Sequence, residues 1–380
     1  MSGVPSNGRS CSPLAELGQV LGCSWRNIEE AWENTLKTHQ LLSKIIEGKP
    51  GSDTSFIVHG SVARQECTRG SDLDWTLLVD GVADASVQQT FLAIKNALNE
   101  RAIFEQLGLK QPGPEGTFGA LTFSQPMMHY IGGEEDSNSN TTRRVLLLLE
   151  ALPIGERRGP DDPGRGTFGR VRQGILRRYL DEDRGLLRWS QEDGKLRWIP
   201  LFLLNDFARY WRTMAVDFAY KQFDRGNRGY ALRSIKLGVS RKLLFASGLL
   251  ACFWCDPVIS KNNDQKDNKQ SLIETLETFF DWTPLERLAQ FFAIQIRASD
   301  SEFLRKTAGD LFEAYDSFLG LLNDPEKRNR LDELKHEDQE ADAVFREARR
   351  MRKQFRLAIQ DMFLGDGSPL RQHTIEKGVF

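Results

Sequence analysis

The sequence predicts an α+β protein in which a strand-bearing N-terminal half precedes an all-helical C-terminal half. Three observations predict it. Short apolar runs at 55–59 and 73–80 have the length and composition of buried strands. Beyond about residue 171 apolar residues recur every three or four positions, over 201–223, 230–253, 270–280, 284–298 and 301–322, the period of helices with one buried face. Between the two patterns, 156–170 is rich in Gly, Arg, Pro and Asp, a composition that packs poorly and marks a domain boundary. The expected organisation is a flexible lead-in over 1–24, a first domain over 25–170, a helical domain over 171–365 and an extended tail over 366–380.

The other elements follow in order. Residues 25–47 place Ile28, Trp32, Leu36, Leu42 and Ile46 at helical spacing behind Ser24, a suitable N-cap, and Gly48, Pro50 and Gly51 end the helix. Residues 84–102 carry Val87, Phe91, Ile94 and Leu98 on one helical face. The aromatic- and Met-rich stretch 118–131 reads as one or two strands, and 134–142 as a polar loop. The apolar run 144–152 leaves strand and helix open, because an unbroken run carries no period. In the second half, 324–362 reads as one long charged helix with Leu331, Leu334, Ala343 and Phe345 on an apolar stripe. Such an arm would suit self-association or a partner.

Composition narrows the class without naming a function. The chain has 380 residues, 40% hydrophobic and 27% charged, ordinary for two or three folded domains. Its 51 basic and 53 acidic residues leave a formal charge of −2, which demands no nucleic-acid partner but hides local asymmetry. The apolar runs fall short of the roughly 20 residues that cross a bilayer. The N-terminus lacks the basic-then-apolar order of a secretory signal. Five cysteines, an odd number at scattered positions, fit reduced thiols. The expectation is a cytoplasmic protein without membrane insertion. Cys252 and Cys255 form a CxxC with no second pair at zinc spacing, so they read as packed thiols. A Walker A loop, a dinucleotide fingerprint and a Ser-His-Asp arrangement are missing from the sequence.

The informative segment is Gly60-Ser61, then Asp72-Leu73-Asp74 after ten intervening residues. It reads as strand, tight turn, short helix (62–68) and strand. Gly60 lets the backbone approach a bound group, and Ser61 offers a hydroxyl and a backbone N–H at a helix start, where a phosphate oxygen is favoured. Asp72 and Asp74, two residues apart on a strand, project to one face. Carboxylates converging there repel unless a divalent cation lies between them, and hard oxygen ligands beside substrate phosphates suit Mg²⁺ or Mn²⁺.

The stretch Gly60-Ser61-Val62-Ala63-Arg64-Gln65-Glu66, with Gly70-Ser71-Asp72-Leu73-Asp74, resembles the signature of the DNA polymerase β-like nucleotidyltransferases. Within that superfamily it is most similar to the PII uridylyltransferases, the glutamine synthetase adenylyltransferases and related bacterial nucleotidyltransferases. The clear resemblance covers about 25 residues; a weaker one, to the bacterial members, extends over 131–150 and 205–249. It implies a mixed sheet with flanking helices, an NTP or dNTP donor, a divalent cation, pyrophosphate release and a hydroxyl acceptor on a protein, a nucleotide or a nucleic-acid end. It also admits an anti-phage role, of which the Hailong-type defence polymerases are one form.

Such enzymes usually add a third carboxylate from a later strand. Glu150, ending the run 145–149, and Asp136 are the candidates, with Glu150 equally readable as a solvated helix end. Arg233 and Lys236, three apart before an apolar stretch, are the candidate phosphate-binding cations. The alternative from another class is a catalytically silent nucleotide-binding regulator or scaffold. The helical domain also admits homo-oligomerisation.

Overall fold

The computed structural model describes residues 12–99, 104–106, 108–110, 118–155, 166–182, 199–224, 229–261 and 269–378. They form two compact units, the first over 30–181 and the second over 182–380 with the segment before residue 30. The fold is α+β, a four-stranded sheet in the first unit and helices in the second. The boundary expected at 170 falls inside a helix, Thr167–Glu182, of the first unit. Most of the Gly/Arg/Pro stretch that suggested it lies outside the described residues.

The sheet of the first unit runs β3-β2-β1-β4, with β1 Thr54–His59, β2 Trp75–Val79, β3 Ala120–Phe123 and β4 Ala151–Pro153. β1 pairs antiparallel with β2 (Thr54↔Val79 to Val58↔Trp75) and with β4 (Ile57↔Pro153 to His59↔Ala151), while β2 and β3 are parallel. Every residue of β1 and β2 is buried, which is why both read as unbroken apolar runs. Leu42 and Ile46 of α2 (Arg26–Ile46) and Ile94 and Leu98 of α4 (Ala85–Asn99) close over Phe56, Val58, Trp75 and Leu77. Asp84 caps α4, accepting from Ser86 N at 2.9 Å and Val87 N at 3.0 Å. The Ser86 hydroxyl and the Val87 N–H hold the Asp84 carboxyl below its ordinary range.

Two expectations in this unit change. The stretch 118–131 is one short strand followed by a helix, α5 Ser124–His129. The apolar run 144–149 is helical and belongs to α6, Asn138–Leu149, which begins inside the expected polar loop. The deciding signal lies upstream: Ser137 Oγ accepts from Asn140 N at 3.2 Å and starts a helix that carries the run with it. The first unit ends on α7, Thr167–Glu182.

In the second unit the expected lead-in holds a helix, α1 Pro13–Leu21. Ser12 Oγ accepts from Ala15 N, Pro13 sits in the first turn, and Gly22 closes the helix at φ +70°. Leu14 and Leu17 are buried. The start of α2 is capped by Asp316, whose two oxygens take Ile28 N at 3.0 Å and Asn27 Nδ2 at 2.7 Å. α8 (Leu201–Asp224) is followed by α9 (Tyr230–Lys236), a π turn (Leu237–Arg241) and α10 (Lys242–Trp254) in one rod. That rod is long and apolar enough to cross a membrane, but most of it is buried within the structure, as in the core helix of a globular unit. Cys252 and Cys255 are both fully buried, and burial pushes the Cys255 thiol far up.

After α11 (Pro257–Ser260) come α12 Lys269–Asp281, α13 Pro284–Ser299 and α14 Glu302–Asn323, matching the periodic segments to within two residues. The single helix expected over 324–362 is two, α15 Pro325–Glu333 and α16 Ala343–Leu364, because Leu334 is extended and Asp342 starts a new helix by accepting from Phe345 N at 2.8 Å. α16 packs along α14, with Tyr315 and Phe355 ring centroids 5.8 Å apart. The tail is helical rather than extended over 371–378, pinned where buried His373 Nε2 meets Asp256 Oδ2 at 2.7 Å.

Candidate functional site

The site forms where β1 ends and β2 begins, which antiparallel pairing puts side by side. His59 N donates to Asp74 O at 2.8 Å, so the ladder continues one pair beyond Val58–Trp75. Upstream, Leu73 N donates to Lys110 O at 3.0 Å and Lys110 N to Ser71 O at 2.8 Å, clamping Asp72 in extended backbone. Leu73 is buried, Asp72 is exposed and Asp74 is half-buried, as strand alternation requires of two carboxylates on the face opposite Leu73.

Gly60 follows β1 at φ +64° and opens a short helix, α3 Gly60–Ala63. A Cβ on Gly60 would stand 3.0 Å from Asp74 Oδ2. Only a glycine both adopts this conformation freely and leaves room for that carboxylate. Gly60→Ala is therefore expected to cost about 1–2 kcal/mol of stability through left-handed strain alone. It should also shift Asp74, so activity per folded molecule should fall further than thermal melts explain.

Ser61 begins α3 and is half-exposed, with its carbonyl accepting from Glu66 N at 2.8 Å. The helix expected over 62–68 is this single turn, followed by a tight return through Gln65 at φ +61° and Gly70 at φ +72°. α2 holds the return from behind: His39 Nε2–H donates to Val62 O at 2.8 Å, and Cys67 N donates to Thr35 Oγ1 at 2.9 Å.

Burial keeps two nearby histidines neutral. It pushes His59 down to about 3 and also lowers His39, the Val62 carbonyl opposing the shift in His39. Below about pH 6.5 the unfolded chain takes up protons that the folded chain refuses, so stability falls as pH falls. Each histidine contributes up to about 1.4 kcal/mol per pH unit between its unfolded and folded values. Urea unfolding at several pH values between 7 and 5 should show a shallower acid loss in His39→Gln than in wild type. Parallel curves would remove His39 as a source.

Glu150 stands immediately before β4, whose Ala151 pairs with His59, so it reaches the same end of the sheet. Its Oε2 is engaged by Arg64 Nη1, and Arg64 Nε donates to Glu66 Oε2 at 2.9 Å. Among the described residues no group of three His, Cys, Asp or Glu side chains is placed to hold a metal ion. Asp136 is committed elsewhere, both oxygens taken by buried Arg144 at 2.8 and 3.1 Å. Arg64 and Glu66 escaped the sequence reading as site residues although both lie in the quoted motif; the Arg-x-Glu spacing that follows Gly-Ser was the available signal.

Arg233 and Lys236 belong to α9 of the second unit. Arg233 donates from Nε to Gly229 O and from Nη1 to Lys221 O, both at 3.2 Å, which ties it to backbone at the helix ends. Lys236 ends α9, and its carbonyl accepts from Ser240 Oγ at 3.1 Å.

The donor set fits a divalent cation shared with substrate phosphates: two carboxylates on one face of a clamped strand, beside a glycine that exposes backbone. Residues 24–113 match the family described as putative nucleotidyltransferase DUF294. The match supports a nucleotidyltransferase reading of this segment. The match contains Gly60, Ser61, Asp72 and Asp74 but covers less than a third of the chain, and Glu150 and nearly all of the helical unit lie outside it. No curated protein matches the chain.

Proposed function

We propose that the chain is a Mg²⁺- or Mn²⁺-dependent enzyme that moves a nucleotidyl group from an NTP or dNTP to a hydroxyl. The acceptor hydroxyl gives up its proton to solvent as its oxygen forms a bond to the α-phosphorus, the bond from that phosphorus to the oxygen bridging the β-phosphate breaks, and pyrophosphate leaves. The observation that carries the reading is the closeness of the Asp74 carboxylate to Gly60, with Asp72 exposed two residues upstream.

Asp72 and Asp74 would hold the cation, which when bound activates the acceptor hydroxyl and neutralises charge on the leaving group. Gly60 and Ser61 would receive the triphosphate, the glycine by close backbone approach and the serine by its hydroxyl. Glu150 acts in this reading through Arg64, as a positioning residue that ties the start of β4 to the motif. Arg233 and Lys236 remain proposed phosphate contacts only so far as the nucleotide reaches the helical unit. Protein, nucleotide and nucleic-acid acceptors are all compatible with the site. The resemblance to the bacterial nucleotidyltransferases also admits a cytoplasmic anti-phage role, of which short DNA oligomers made by a Hailong-type polymerase are one form.

The test is incubation of the purified protein with each labelled NTP and dNTP and Mg²⁺ or Mn²⁺, with products resolved by gel and mass spectrometry. Pyrophosphate release with a new product, absent in Asp72→Ala/Asp74→Ala, supports transfer and names the donor. One observation favours a second reading as a silent nucleotide-binding scaffold, the lack of a third carboxylate in a metal-holding group among the described residues. Nucleotide binding without turnover, in the presence of candidate protein and nucleic-acid acceptors, would select that reading.

A further inference from the structure

We propose that the helical unit carries a binding site of its own, a basic cleft that takes a short single-stranded oligonucleotide by its phosphodiester backbone. The cleft has a volume of about 960 Å³, at the upper end of small-ligand sites, which span about 300–1,000 Å³. α16 and Glu340 just before it form one wall; α8, α9, the π turn and the start of α10 supply the rest.

The α16 wall is one-sided in charge. Its inner stripe, Phe345, Ala348, Met351 and Phe355, is buried. The cleft stripe is basic at Arg346, Arg349, Arg350, Arg352, Lys353 and Arg356. From 346 to 356 it runs about 15 Å along the axis at 1.5 Å per residue. The pairs 346/350, 349/353 and 352/356 are like charges one turn apart, each mildly destabilising, whereas a solvated face ordinarily alternates signs. Lys242 adds a cation from the opposite wall, pushed below its ordinary value first by burial and then by Arg356 and Arg352. Among the described residues Glu340 is the one acidic side chain lining the cleft, and it is taken by Arg349 at 2.6 Å. Arg346, Arg350, Lys353 and Arg356 have no carboxylate partner among the described residues.

The cleft is built rather than incidental. Arg352 Nη1 donates to Ser234 Oγ at 2.7 Å, fixing its head across the groove. Its aliphatic stem lies where a Cβ on Gly238 would collide, so the glycine in the π turn admits it. π turns recur at functional sites because the extra residue redirects the helix surface. Trp211 lines the cleft, stacked on Phe245 with centroids 5.4 Å apart and planes inclined by 20°, and Lys242 Nζ lies 5.7 Å from its ring centroid.

These features select the ligand. Cations spread along about three helical turns match charge distributed one phosphate per nucleotide better than the compact charge of one triphosphate. An aromatic wall beside a basic groove is how single strands are held without sequence preference. A concave site does not suit a flat anionic membrane, and its volume is too small for a duplex.

Fluorescence polarisation of a labelled single strand of about ten nucleotides, with full-length protein in EDTA over a salt series, tests this independently of turnover. The expected result is salt-sensitive binding that Arg350→Ala/Lys353→Ala/Arg356→Ala weakens at least tenfold. The slope of log K against log salt should shrink by about 0.7 for each phosphate the variant no longer neutralises. The replaced side chains are exposed, so the variant should keep the wild-type melting temperature. Trp211→Leu should weaken the oligonucleotide and leave inorganic tripolyphosphate unaffected. Unchanged binding in the triple variant would overturn the proposal. So would equal competition by tripolyphosphate at matched phosphate, or preferential capture of phosphatidylserine vesicles through the same residues.

Discussion

Asp74→Asn is expected to lower nucleotidyl transfer by about a thousandfold or more, equivalent to ~4 kcal/mol of transition-state stabilisation, while leaving the fold intact. The substitution preserves the shape of the side chain, so Gly60 still meets an atom of the same size at the same place. What it removes is one of two negative charges on a single strand face. Mg²⁺ or Mn²⁺ should raise the melting temperature of the wild type more than that of the variant, because ligand binding to the folded state stabilises it and the variant binds less. A fall in both activity and metal-free stability would point to a structural carboxylate. Full activity in Asp74→Asn would remove the carboxylate from the chemistry. Asp72→Asn should behave alike in activity.

How much of this was readable from the sequence depends on whether the deciding interaction is local. The Gly60–Asp74 segment could be read because strand alternation and glycine freedom act within a few residues. The arrangement found is the one they imply, except that the helix between is a single turn. The helical unit was readable for the same reason: a buried face imposes a period. The run at 144–149 was not, because every side of it is apolar and the cap that makes it helical sits at Ser137. Glu150 was named as a candidate third carboxylate; its pairing with Arg64, 86 residues away, could not be read because no local pattern links the two. The break at Leu334 was hidden because an apolar stripe continues in register across it. The basic cleft escaped since a formal charge of −2 averages it away, and the walls that oppose α16 come from elsewhere in the chain.

Arg144→Leu is expected to be the most destabilising single change in the first unit, by about 3–5 kcal/mol, the usual cost of stranding one member of a buried ion pair. Arg144 is fully buried and binds acceptors on three other segments. It pairs with both oxygens of Asp136, donates from Nε to Tyr179 Oη at 2.6 Å, and donates from Nη1 to Met127 O at 3.3 Å. Its removal leaves the Asp136 carboxylate charged in a site that holds it at 8% exposure. Asp136→Asn in the same chain should recover part of the loss, because the stranded charge disappears while Gly132 N keeps an acceptor. Arg144→Lys should not rescue, since an ammonium cannot reproduce a two-pronged pair together with the bonds to α5 and α7. Urea unfolding of the single and double variants gives the coupling directly; single variants within about 1 kcal/mol of wild type would mean that the pair carries no buried charge. Because α6 ends at Glu150, loosening its middle should also relax the Arg64 contact at the sheet end. Folded Arg144→Leu should therefore lose some activity, but far less than Asp74→Asn, which separates a helix that positions the site from a carboxylate that belongs to it.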